Sequence, residues 1–94
     1  MEKISNGYEL SMETTGNGND TYIHFNLEQE SDVILRIMTT DFVEVRLLVN
    51  ELMMPGEQRI LFSPGNLSAD TYVVRLIINK ENAIDIENLN FKIV

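Results

Sequence analysis

The chain contains no cysteine and no tryptophan, only two prolines, and seven basic residues against fifteen acidic ones. Without cysteine there can be no disulfide, no thiolate zinc site and no cysteine nucleophile. The seven cations, Lys3, Arg36, Arg46, Arg59, Arg75, Lys80 and Lys92, are scattered along the chain. No basic cluster exists to follow a phosphate backbone, so neither nucleic acid nor an anionic membrane surface is expected as a partner. The net charge of −8 reads as a device for solubility. No apolar run approaches the roughly 18 residues a membrane helix needs, and no membrane insertion is expected. The opening residues, Met1-Glu2-Lys3-Ile4-Ser5-Asn6, carry no apolar signal core. The compartment stays open: cytoplasmic, or, if the chain is a fragment of an exported protein, periplasmic, cell-surface or secreted.

The remaining composition is that of one globular domain, here spanning 1–94. Hydrophobic residues make up 44% and charged residues 23%, which separates the chain from disordered sequences. A domain of this size buries about 60–65% of the surface its unfolded form exposes, enough for a single core.

The dominant pattern has period two. Tyr8-Glu9-Leu10-Ser11-Met12-Glu13 alternates, as does Ile23-His24-Phe25-Asn26-Leu27-Glu28. Val33, Leu35 and Ile37 form a further inward set, and Val43, Val45, Leu47 and Val49 another, with Glu44 and Arg46 outward. Arg59 to Phe62 is a shorter strand. Tyr72 to Ile78 is almost wholly apolar and rich in β-branched residues, as befits a central strand. Leu89 to Ile93 alternates once more. Asn6-Gly7, Gly16 to Asp20, Pro55-Gly56, Pro64-Gly65 and Asn79 to Asn82 supply the turns. About seven antiparallel strands at this spacing predict an all-β, immunoglobulin-like sandwich. One segment, Leu47 to Met54, also fits a turn or two of helix ended by Pro55.

From Ile23 onward the order of residues resembles the Ig-like C-terminal sorting domains of the bacterial type IX secretion system and the related Ig-like domain of flagellar hook-capping proteins. The resemblance rests on Ile23-His24-Phe25-Asn26-Leu27, Val33 to Ile37, Val45 to Glu51 and Pro55-Gly56. It continues through Ile60-Leu61-Phe62, Leu67-Ser68-Ala69-Asp70-Thr71-Tyr72 leading into Val73 to Leu76, and the closing Phe91-Lys92-Ile93-Val94. It covers roughly three quarters of the chain. Where that family usually carries glycine, this chain has Asp70 before the strand tyrosine and Phe42 at the end of Thr39-Thr40-Asp41-Phe42. The resemblance implies a non-catalytic module of an exported protein that sorts, tethers or adheres through protein contacts. Lys92, Ile93 and Val94 and the segment around Tyr72 to Arg75 are then the places a partner would read.

Tyr72 has a physical role independent of any family. A tyrosine entering a late sandwich strand can bury its ring and bond a backbone group a few residues upstream, forming a tyrosine corner. His24 is the only histidine and alternates with Ile23 and Phe25, so it is expected on an outer face without the orienting acid and nucleophile that catalysis needs. Gly16-Asn17-Gly18-Asn19-Asp20 offers oxygen ligands for calcium, but holds one carboxylate and no Asp-x-Asp spacing, so a plain turn is expected. Glu28, Glu30 and Asp32 cluster in a connection and are expected to be solvated. Asn19-Asp20-Thr21 and Asn66-Leu67-Ser68 fit the glycosylation triplet. Met53-Met54, beside Pro55-Gly56, is an apolar stretch suited either to cover one end of the sandwich or to contact a partner. No enzyme, cofactor or metal is expected. Self-assembly through sheet edges or Met53-Met54 is the second function class. Carbohydrate binding is the third; it would need exposed aromatics, for which Tyr8, Tyr22 and Phe42 are the candidates.

Overall fold

The computed structural model describes residues 7–16 and 18–94. Its seven strands are β1 (Ser11–Thr14), β2 (Thr21–Leu27), β3 (Ser31–Thr39), β4 (Glu44–Met53), β5 (Gly56–Phe62), β6 (Asp70–Asn79) and β7 (Ile84–Ile93). They form two antiparallel sheets, β1-β2-β5 and β4-β3-β6-β7, in an all-β sandwich. The fourth strand pairs with β3, so the sheets divide as three and four; in the constant-type immunoglobulin arrangement that strand lies on the other sheet.

Alternation builds the core. Ile23, Phe25 and Leu27 of β2 meet Val33, Leu35 and Ile37 of β3 and Tyr72, Val74, Leu76 and Ile78 of β6, all buried in one cluster with Phe62 and Ile93. Each such side chain removed from water contributes roughly 1.5–3 kcal/mol to offset the cost of ordering the chain. The Phe62 and Phe91 rings pack edge to face at 5.9 Å, joining β5 of one sheet to β7 of the other.

Several sequence expectations change. Leu47 to Met54 forms no helix: β4 runs extended to Met53. Val43 and Leu47 are exposed, although their alternation placed them inside. Leu47 is turned outward by the register shift at Leu35/Arg36, which slips the phase of β4 by one residue against β3, whereas Val43 lies ahead of β4 in the β3–β4 connection. Leu48 packs on the core in place of Leu47. At the other end of the chain, β7 starts at Ile84, earlier than Leu89. Glu9 adopts φ 55, which interrupts the first alternating run, so β1 begins only at Ser11 although Tyr8 and Leu10 still pack inward.

The β3–β4 hairpin is closed by Thr39 N–H donating to Val43 O and Phe42 N–H donating to Thr39 O, both at 2.9 Å. The Thr39 hydroxyl accepts from the Asp41 and Val43 amides at 3.2 Å. Phe42 there takes φ 64, a left-handed conformation glycine adopts without penalty.

Candidate functional site

In a sandwich, alternate residues of every strand point away from the core, and pairing register decides which of them meet. On the four-stranded sheet the register sets Asn50, Ile34, Ile77 and Ile86 side by side across β4, β3, β6 and β7. The next row is Leu52, Asp32, Asn79 and Ile84. On the other side lie Leu47, Arg36, Arg75 and Asn88. Three isoleucines are thus contiguous on the solvent side, flanked by Ile84, Leu52 and Leu47. Four of these side chains are more than half exposed: Ile84 62%, Leu52 54%, Ile86 53% and Leu47 51%. A groove of about 430 Å³ runs along Ile34, Ile77 and Ile84, rimmed by Asp32, Asn50 and Asn79.

The same face is closed toward its Phe42 end. Met38 and Val73 are paired across β3 and β6, belong to this outer side, and are only 4% exposed. The Arg75 guanidinium lies 5.0 Å from the Phe42 ring centre. Arg36 and Arg75 are direct cross-strand neighbours, an arrangement that is repulsive by itself. Each is drawn aside, Arg36 to Glu44 at 3.5 Å and Arg75 to the Asn88 side-chain oxygen at 3.0 Å.

The outer face of the three-stranded sheet is of another kind. His24 Nε2 lies 2.9 Å from Glu13 Oε1, and the Arg59 guanidinium sits 3.7 Å above the Tyr22 ring. Glu9, Ser11, Asn26 and Glu57 line a shallow polar cleft of about 250 Å³ beside His24. Its carboxylates are exposed, so the burial that would set one apart as an acid catalyst is missing from their surroundings.

Tyr72 is buried and its hydroxyl donates to the Ser68 carbonyl at 2.7 Å, pinning the β5–β6 corner from the start of β6. Of the residues expected to meet a partner, Ile93 is buried in the core, and Met53 packs against it while staying partly exposed. Met54, Lys92 and Val94 are exposed. They do not form one site: Met53, next to Met54, pairs with Ser31 at one end of β3, whereas Lys92 neighbours Thr71 at the other end of the sheet. The Val94 backbone is clasped by Asn19, whose amide nitrogen donates to Val94 O at 3.0 Å.

In the Gly16 to Asp20 loop two backbone oxygens are used locally. Thr15 N–H and hydroxyl donate to Asp20 O, and the Thr21 hydroxyl to Asn19 O. Asn17 lies outside the described residues. Among the described residues no three His, Cys, Asp or Glu side chains converge. Glu28, Glu30 and Asp32 are exposed and solvated.

One cluster was invisible in the sequence. Tyr8 hydroxyl donates to Asp85 Oδ2, and Lys80 Nζ lies 2.8 Å from the same oxygen. Gly7 N–H donates to Glu87 Oε2 at 2.7 Å. The Lys80 and then the Tyr8 hydrogen bond hold the Asp85 carboxyl below its ordinary range. Burial first, then the bond to Asp85, raises the Tyr8 phenol, and the Asp85 contact raises Lys80. Because Tyr8 O accepts from Asn26 N of β2 while Asp85 belongs to β7, the cluster ties the two sheets together. Only the pairing of distant segments creates it, and no local motif signals it.

Comparison with known protein families, with curated proteins and with solved structures finds no match to this chain.

Proposed function

We propose that the chain is a non-catalytic interaction module whose four-stranded outer face docks against another protein. The observation that carries this is the contiguous row Ile34, Ile77 and Ile86 with Ile84 and Leu52 beside it, in which Ile84, Ile86 and Leu52 are exposed and Ile34 and Ile77 half-buried, on an otherwise acidic molecule. Contiguous exposed apolar surface on a small monomer commonly marks a contact site. Sorting or tethering of a bacterial exported protein is the role in which such a module acts, in keeping with the resemblance to type IX sorting domains.

Carbohydrate binding finds less support. Tyr22 already carries Arg59 on its ring, Tyr8 is engaged by Asp85, and Phe42 faces Arg75. None offers the free platform that sugar stacking requires.

The test is a fusion of this chain to a passenger protein, expressed in a host with the type IX system. The wild-type fusion is expected at the cell surface, and an Ile84→Glu/Ile86→Glu variant is expected to remain in the periplasm. Periplasmic retention of a folded wild-type fusion removes the sorting role. Equal delivery of both fusions removes the face as the docking surface.

A further inference from the structure

We infer that the free edge of β7 pairs with the β7 edge of a second copy of this chain, joining two four-stranded sheets into one eight-stranded sheet about a two-fold axis. The proposed docking face and this edge share only Ile84 and Ile86, and the inference does not depend on the identity of any other partner.

A sandwich of two open sheets has four edge strands, and here they differ. β1 is four residues long. β5 is seven residues long and opens on Gly56 at φ 118, directly after Pro55. β4 carries two register irregularities, which bend an edge away from a would-be neighbour. β7 pairs with β6 over ten consecutive residues without a bulge and contains no proline. Among the described residues β6 is its only partner, so one side of its backbone has unused donors and acceptors. Long, regular, unprotected edges are the ones that accept a strand.

The pattern of the edge row accommodates a copy of this chain as the occupant. Two molecules of net charge −8 repel, and they can meet only where carboxylates are missing. The outward row of β7 is Ile84, Ile86, Asn88, Asn90 and Lys92, with no acid and one cation. Of its inward acids, Asp85 is held by Lys80 and Tyr8, and Glu87 is held through Oε2 by the Gly7 amide. Antiparallel self-pairing centred on Asn88 sets Ile86 beside the partner's Asn90 and Ile84 beside the partner's Lys92. Asp85 then faces the partner's Phe91, and Glu87 the partner's Leu89, so no acid meets an acid. The two exposed isoleucines gain cover on their open flank. Such a pairing uses the same surface twice and closes at two copies.

The interface is smaller than the roughly 800 Å² per partner of a stable complex, so a dissociation constant of about 1–100 µM is expected. Sedimentation equilibrium of the full chain tests this directly: a concentration-dependent dimer is expected. A monomer persisting to about 1 mM overturns the inference. Register is tested by charge. Ile86→Asp with Asn90→Asp opposes like charges across the axis and should weaken the dimer at least about tenfold. Ile86→Asp with Asn90→Lys opposes unlike charges and should restore it. A dimer indifferent to both pairs overturns the β7 contact. Because the chain has no cysteine, single-cysteine variants read the contact without disturbing charge. Asn88→Cys should oxidise to a covalent dimer, and Leu52→Cys on β4 should not. The reverse result assigns self-association to the face and ends the edge pairing. Circular dichroism of each variant separates lost pairing from lost folding.

Discussion

The two outer faces of this sandwich are made by the same alternation and end up as opposites. On the three-stranded sheet the outward residues satisfy one another: His24 with Glu13, Tyr22 with Arg59. On the four-stranded sheet, among the described residues, the outward isoleucines at the Ile34 end have only their own row as cover, although the opposite end of the same face buries Met38 and Val73. Polar groups can be paired side by side on a surface, whereas apolar groups gain only by being covered. An uncovered apolar half beside a covered one therefore points to a second body, and a polar face does not.

The largest effect that can test this comparison lies beneath the apolar face. Leu76 follows Arg75 and precedes Ile77 but points inward, where it is fully buried. Leu76→Ala is expected to cost about 2–5 kcal/mol in denaturant unfolding. By contrast, the Ile84→Glu/Ile86→Glu variant that should abolish docking is expected to change stability by no more than about 0.5 kcal/mol. A large loss in the second variant would turn the face into a structural element and break the comparison. Next in size, Tyr72→Phe leaves the ring and removes the bond to Ser68, with an expected loss of about 0.5–1.5 kcal/mol. No loss would mean that the β5–β6 corner is held by ring packing alone.

The smallest effect is in pH. Asp85 is depressed in the folded protein, so its contribution is present above the ordinary carboxylate value near 4 and fades as pH falls through the folded value. Tyr8 and Lys80 are raised, so theirs is complete below their ordinary values near 10 and fades as pH rises through the folded values. The cluster is thus expected intact between roughly pH 4 and 10. NMR titration of the Tyr8 ring and the Asp85 carboxyl checks it; an Asp85 midpoint at or above the ordinary value would detach the clasp.

What was legible in the sequence follows from phase. β2, β3 and β6 keep their apolar residues on one parity or fill both, and they were readable. β7 was half hidden because Ile84 and Ile86 occupy one parity while Leu89, Phe91 and Ile93 occupy the other. The strand therefore changes which face is apolar midway, and no single alternation runs its length. β4 is misread for a related reason: its irregularity at Leu35/Arg36 displaces Leu47 to the surface and brings Leu48 inward. The candidate face was unreadable by construction of the fold. Ile34, Ile77 and Ile86 come from three strands, and only the pairing register puts them in one row. Met53-Met54 stand out in the sequence as adjacent apolar residues, yet extended chain sends adjacent residues to opposite sides, Met53 half-buried against the core and Met54 to solvent.

The irregularities of β4 have a wider consequence. A sheet that can grow from both sides is a template for a fibre, each newcomer presenting the next free edge. With one flank spoiled and the other intact, growth stops after a single addition. The same kinks that push Leu47 into water would cap the assembly, letting a chain with a long sticky strand stay in solution.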